Sequence, residues 1–153
     1  MRYFAGQSKH MGSKIFKVLW IISLLAAVAV FFYTYASLQD VVNLGVQELP
    51  FSRTGFFYGA LAVLVLFNGL SFPVRNLVTS DLRLGWFYGL LVCLHIFLSA
   101  VFIFIGILNS NEKYDYLQLG PAVIGSFSLF CLWILLFPAL LLFERGRPAE
   151  QVS

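Results

Sequence analysis

The sequence predicts an all-α membrane protein with four transmembrane helices, and two observations support this fold class. Of the 153 residues, 60% are hydrophobic and 11% are charged, whereas a soluble domain carries about 25% charged residues. The apolar residues form four long stretches separated by short polar connections, and each stretch is near the roughly 20 residues that a helix needs to cross a bilayer. We therefore expect one domain whose outer surface faces lipid.

The four spans are predicted at about residues 15–36, 55–74, 84–108 and 121–143. The third stretch, Leu84 to Leu108, contains no Asp, Glu, Lys or Arg. As a helix it is roughly 37 Å long, enough for a hydrocarbon core of about 30 Å. The first stretch follows a basic N-terminal segment like that of a signal peptide, but its apolar run is longer than the 7–15 residues usual there. We therefore predict that it is an uncleaved span.

The connection between the first two spans carries a helical pattern over residues 37–49. Ser37 is a candidate N-cap and Pro50 ends the segment. Apolar residues recur at helical spacing at Leu38, Val41, Val42, Gly45, Val46 and Leu49. This pattern predicts a short amphipathic helix on the membrane surface, and a short strand through Val41–Val46 is the alternative.

Basic residues predict that both termini are cytoplasmic. If they are, only Arg53 and Lys113 lie on the outer side. The inner side then holds Arg2, Lys9, Lys14, Lys17, Arg75, Arg83, Arg145 and Arg147. This bias follows the positive-inside rule and predicts a multi-pass protein of the cytoplasmic membrane. The net charge of +3 suits loops that face anionic lipid, so no nucleic-acid partner is expected.

The stretch YTYASLQDV, from Tyr33 to Val41, follows the first span, and FFY, from Phe56 to Tyr58, opens the second. Together they resemble the first outward loop of small uncharacterised bacterial membrane proteins that carry a Leu-Pro-x-x-Val pattern after their first span. In this sequence Gln39 stands in place of the proline. The resemblance covers about 25 residues, and it implies a bacterial inner-membrane location without implying an activity.

Two similar five-residue patterns open the second and third spans. Gly55-Phe-Phe-Tyr-Gly59 and Gly85-Trp-Phe-Tyr-Gly89 lie 30 residues apart. Aromatic anchors beside a GxxxG spacing are typical of helix ends that pack closely in membranes. We therefore predict that these four glycines are helix-packing positions. An internal repeat is the alternative, although the two spans cross the bilayer in opposite directions.

His95 is the only histidine in an apolar stretch. An imidazole in lipid is costly unless it is paired, so an intramembrane histidine is a candidate functional residue. Its candidate roles are haem ligand, quinone contact and proton relay, and a bis-histidine haem would need a second intramembrane histidine from a partner subunit. The favoured interpretation is a neutral histidine hydrogen-bonded to Ser99, to Asn68 or to a neighbouring subunit. Asn68 itself is expected to join helices through a hydrogen bond.

The sequence carries no carboxylate, lysine or arginine at mid-span, no phosphate-binding loop and no metal-ligand spacing. We therefore predict no autonomous enzyme activity and no cofactor, and we consider three function classes. The favoured class is a non-catalytic accessory or scaffold subunit of a larger membrane complex, whose partners are other membrane subunits and the lipid bilayer. The second is a small transporter, channel or homo-oligomer. The third is a redox or quinone-linked subunit in which His95 serves a partner's cofactor.

Overall fold

The computed structural model describes residues 3–44, 51–78, 80–110 and 119–145. Over these ranges the chain is almost entirely helical. The helices are α1 (Tyr3–Ser37), α2 (Arg53–Gly69), α3 (Ser71–Leu77), α4 (Asp81–Leu108) and α5 (Gly120–Arg145). A two-stranded antiparallel sheet joins β1 (Val41–Val42) to β2 (Phe51–Ser52) in the connection between α1 and α2.

The predicted four-helix membrane fold is confirmed. Within the described ranges, four helical segments are long and apolar enough to cross a membrane: Ser13–Ser37, Arg53–Leu77, Asp81–Leu108 and Gly120–Leu142. Their ends lie within a few residues of the predicted spans, because composition alone marks where the chain can leave water. The chain is thus a multi-pass helical membrane protein. The helix that contains the first span, α1, begins before that span, at Tyr3.

The second span is divided between α2 and α3 at Leu70. Pro73 explains the break, because a proline has no N–H to offer the carbonyl four residues earlier and its ring crowds that carbonyl. The carbonyl concerned belongs to Gly69, which also favours helix ends over helix interiors. The chain continues through hydrogen bonds from Leu70 N to Leu66 O at 3.1 Å and from Val74 N to Leu70 O at 3.2 Å. The span therefore stays helical with a local interruption.

Helices α1 and α4 form the centre of the bundle, and α5 packs on α4. The main apolar core lies among α1, α2, α4 and the sheet. Phe31 of α1 is at its centre, with ring centroids 5.4 Å from Phe102 of α4 and 6.2 Å from Phe56 of α2. Tilted aromatic pairs at these distances are favourable beyond the area that they bury. This cluster holds α2 against the central pair.

The predicted surface helix over residues 37–49 is wrong for the part that is described. Ser37 is the last residue of α1, residues 38–44 contain β1 and no helix, and residues 45–49 lie outside the described ranges. Extended backbone turns Val42 into the core at 0% exposure and leaves Val41 64% exposed, as strand alternation requires. The alternative, a short strand through Val41–Val46, agrees with the structure at residues 41 and 42 and not at residues 43 and 44.

Asn109 ties this connection to the end of α4. Its side-chain oxygen accepts a hydrogen bond from Asn43 N at 2.7 Å, and its Nδ2 donates to Asn43 O at 2.9 Å. The same Nδ2 donates to Ile105 O at 2.8 Å, a carbonyl that also accepts a hydrogen bond from Asn109 N at 3.1 Å. These tertiary hydrogen bonds offset the helical preference of the apolar pattern, since they engage both backbone groups of Asn43.

Replacing Asn109 with alanine is expected to release the sheet from α4 without unfolding the bundle. The substitution removes three hydrogen bonds at a partly exposed site, where each contributes about 1 kcal/mol or less. Hydrogen exchange measured by mass spectrometry should therefore accelerate around Val42 and Asn43, with no change in the middle of α4. Unchanged exchange in residues 41–44 would contradict this role of Asn109. Accelerated exchange throughout α4 would show that Asn109 also stabilises the helix itself.

Candidate functional site: a buried polar network

His95 lies in the middle of α4 and is 1% exposed. Both of its ring nitrogens are within hydrogen-bond distance of polar side chains on neighbouring helices. The Nδ1 atom is 2.9 Å from Ser23 Oγ of α1, and the Nε2 atom is 3.1 Å from Asn68 Nδ2 of α2. The histidine therefore joins three helices at the centre of the membrane-spanning region.

The partners of His95 have further hydrogen bonds among themselves. Trp20 donates through Nε1 to Asn68 Oδ1 at 2.8 Å, and Asn68 Nδ2 also donates to Leu64 O at 2.8 Å. Ser23 Oγ donates to Trp20 O at 2.9 Å. We call Trp20, Ser23, Asn68 and His95 the polar network. It is closed, because each of its polar side chains finds its partners among the other members or in nearby helix carbonyls.

These contacts determine which ring nitrogen of His95 carries the hydrogen. Asn68 Nδ2 can only donate, so His95 Nε2 must be the acceptor. His95 Nδ1 then carries the hydrogen and donates to Ser23 Oγ, whose own hydrogen is directed to Trp20 O. The orientation of the Asn68 amide follows in the same way, because Trp20 Nε1 can only donate to its oxygen. The network thus fits one neutral tautomer of His95.

The network can hold helices together, but it offers little to a ligand. Neither nitrogen of His95 is left free, so a metal or haem iron would first have to displace Ser23 or Asn68. Among residues 3–44, 51–78, 80–110 and 119–145, no three His, Cys, Asp or Glu side chains are grouped so that they could hold a metal ion. Hydrogen bonds between helices contribute about 1 kcal/mol each in membranes, which suits a structural role.

Ser99, predicted as a possible partner of His95, lies elsewhere. Its side chain has no hydrogen bond in the described part of the chain. Ser99 instead lines a groove of about 420 Å³ among α1, α4 and α5. His95 and Ser23 lie at the same groove, which is otherwise lined by apolar residues. Ser99 therefore belongs to this groove and not to the closed polar network.

The four predicted packing glycines behave differently from one another. A Cβ at Gly85 would be 3.7 Å from the backbone of Ser13 in α1, and a Cβ at Gly89 would be 2.8 Å from Cε2 of Trp133 in α5. In α2, a Cβ at Gly59 would have no described atom within 4 Å, and one at Gly55 would meet only Ser52 and Phe51. The glycines of α4 thus lie at helix contacts and those of α2 do not.

The indole of Trp133 lies beside Gly89 because Trp86 of α4 and Trp133 of α5 form reciprocal hydrogen bonds. Trp86 Nε1 donates to Trp133 O at 3.0 Å, and Trp133 Nε1 donates to Trp86 O at 2.9 Å. We call this reciprocal pair the tryptophan clasp. Trp86 also packs on Phe137 with ring centroids 4.5 Å apart. Each indole N–H is satisfied by a backbone carbonyl of the facing helix, which lipid could not provide.

Two members of the network, Trp20 and Ser23, were not among the predicted site residues. Trp20 stacks on Tyr88 with ring centroids 5.3 Å apart and donates a hydrogen bond to Asn68. A signal was present, because Trp20 and Ser23 are three residues apart and so share a helix face. The sequence did not show that this face would meet Asn68 and His95.

The fold and the network define a multi-pass helical membrane protein with a closed intramembrane hydrogen-bond network. Comparisons of the chain with protein families, with curated proteins and with solved structures find no match. The resemblance to small bacterial membrane proteins therefore stays a prediction.

Proposed function

We propose that this protein is a non-catalytic accessory or scaffold subunit of a larger membrane complex. The observation that supports it best is the closure of the polar network. The hydrogen bonds that join Trp20, Ser23, Asn68 and His95 consume the polar groups that a transporter or redox subunit would need to bind its ligand. What the chain presents to its surroundings is apolar helix surface, which suits contact with other membrane proteins.

Helix α5 is the segment on which we place the partner subunit. It is held to α4 along one side by the tryptophan clasp, and only 6% of the residues in its most apolar stretch are buried within the chain. Its outer surface includes Leu135 at 68% exposure, together with Leu132 and Leu142. Packing against a partner helix would add dispersion contacts that mobile lipid chains provide less completely.

The two other function classes receive less support from the geometry. A transporter or channel needs a polar path, and the groove beside Ser99 is lined mostly by apolar residues. A redox role for His95 requires an open ring nitrogen, and both nitrogens already have partners. A quinone contact would likewise require one of these hydrogen bonds to be exchanged. The subunit proposal needs no such rearrangement.

We place both termini in the cytoplasm and the protein in the bacterial inner membrane. The bias of basic residues supports this orientation, because Arg75 and Arg83 flank the connection between α3 and α4, and a chain with four spans has this connection on the same side as its termini. A cytoplasm-active reporter fused after Ser153 should be active in cells. An inactive cytoplasmic reporter, with an active periplasmic one at the same position, would reverse the orientation.

Purification from native membranes in mild detergent tests the proposal. We expect at least one other membrane protein to remain bound in stoichiometric amount, identified by mass spectrometry, and no visible pigment in an absorbance scan. A photo-crosslinking amino acid at position 135 of α5 should give adducts with the membrane protein that remains bound. The same probe at position 66 of α2 is the matched control, because Leu66 is exposed to a similar degree but lies on another helix.

Three results would contradict the proposal. A lone particle without bound protein, active in a transport assay in liposomes, would establish the second function class. A haem spectrum lost on the substitution His95→Ala would establish the third. Equal crosslinking from positions 135 and 66 to many proteins would show that α5 has no dedicated partner.

A further inference from the structure

A groove runs along the outside of α4. It has a volume of about 420 Å³ and is bordered by α1, α4 and the beginning of α5. Its walls reach from His95 at mid-span to Phe104 on α4 and Leu119 at the start of α5. We call it the α4 groove. It therefore extends from the bilayer centre to the membrane boundary at the C-terminal end of α4.

The dimensions of the α4 groove decide what can occupy it. From His95 to Phe104 the helix rises by about 13 Å, and the α4 groove holds about 420 Å³. A helix with its side chains is about 10–12 Å across and fills roughly 1,000 Å³ or more over that length, so a whole partner helix cannot fit in the groove. A hydrocarbon chain can, because carbon atoms in contact are only about 4 Å apart.

The walls have the chemistry that a hydrocarbon chain requires. Three alanines line the groove and keep it open, namely Ala26, Ala100 and Ala122. The polar groups at its deep end are mostly occupied, since Ser23 and His95 are bonded to each other. A larger apolar side chain at any of the alanines would fill space that is now available to a ligand.

We propose that the α4 groove is a binding site for one acyl chain of a membrane glycerophospholipid. The groove reaches Leu119, near the membrane boundary where a phospholipid headgroup lies, and extends to His95 at mid-span, where a chain from that leaflet ends. One leaflet of a core about 30 Å thick is about 15 Å deep, which matches the length of the groove. The bound chain packs against α1, α4 and α5 and thereby connects α5 to α1.

Native mass spectrometry of the full chain in detergent, after incubation with a single defined glycerophospholipid, tests the site. We expect the wild-type protein to retain one phospholipid per chain. The substitutions Ala100→Leu and Ala122→Leu narrow the groove from α4 and from α5, and each should reduce retention by about tenfold, a loss of about 1.4 kcal/mol. Ala62→Leu is the matched control, because Ala62 is exposed on α2, outside the groove, and its variant should retain the lipid.

A second measurement on the wild-type protein does not depend on the folding of any variant. A phospholipid with a diazirine on its acyl chain should give adducts concentrated at Ile103 and Phe104 and not at the exposed residues of α2. The proposal is overturned if no phospholipid is retained, if Ala100→Leu and Ala122→Leu retain as much as Ala62→Leu, or if adducts are evenly spread. Displacement of the phospholipid by a prenylated quinone at equal concentration would also overturn it, in favour of a quinone site.

Discussion

Replacing Gly89 with alanine is expected to loosen α5 from α4 and to cost about 1–2 kcal/mol of stability, after allowing for the roughly 1 kcal/mol by which alanine is the better helix former. The new Cβ would lie 2.8 Å from Cε2 and 3.1 Å from Nε1 of Trp133, distances at which the indole must move. Forcing an extra methyl group into a packed contact costs about 1–3 kcal/mol. Moving the indole also strains its hydrogen bond to Trp86 O. Unfolding in mixed micelles, followed by circular dichroism, measures the loss.

Gly59→Ala is the matched control for this prediction. Gly59 ends the first of the two similar patterns as Gly89 ends the second, but no described atom lies within 4 Å of a Cβ at Gly59. Alanine is a better helix former than glycine by about 1 kcal/mol, so this variant should be neutral or slightly more stable. If both variants lost the same stability, the tryptophan clasp would not be the reason, and an unrecognised contact of Gly59 would be required.

The two glycine patterns illustrate what a sequence of this kind can predict. Composition predicts where the helices cross the membrane, because only long apolar stretches can leave water, and the four spans follow from it. It does not predict which side of a helix meets another helix, since lipid and protein interior are equally apolar. Gly59 and Gly89 are therefore alike in sequence and differ in structure, because only Gly89 faces a tryptophan of another helix.

The connection after α1 and the polar network also depend on tertiary contacts that the sequence does not predict. The pattern at Val41 and Val42 suits a helix, but hydrogen bonds from Asn109, which is 66 residues away from Asn43, hold that backbone extended. His95 could be identified as a candidate from its type and position alone. Its partner Ser23 could not, because 72 residues separate them and nothing in the intervening sequence fixes how α1 and α4 face each other.

Replacing Asn68 with leucine is expected to lower the free energy of unfolding by about 2–3 kcal/mol, the largest effect of a single substitution in the polar network. The substitution leaves Trp20 Nε1 without an acceptor and His95 Nε2 without a donor in an apolar environment. Each unsatisfied buried polar group costs about 1–3 kcal/mol, more than the hydrogen bond itself contributes. The same unfolding assay measures the effect. Ser99→Ala is the control, because Ser99 is on α4 one turn beyond His95 and should change stability by less than about 0.5 kcal/mol.

The triple variant Trp20→Phe, Asn68→Leu, His95→Phe separates a structural role of the network from a functional one. It removes the side-chain donors and acceptors together, so no unpaired group remains on these three side chains, and stability should return to within about 1 kcal/mol of the wild type. A stable triple variant that still co-purifies with its partner would show that the network only joins helices. A triple variant as unstable as Asn68→Leu would contradict the hydrogen-bond explanation. A stable triple variant that loses its partner would place the network in the function of the complex, because the fold would then be intact without it.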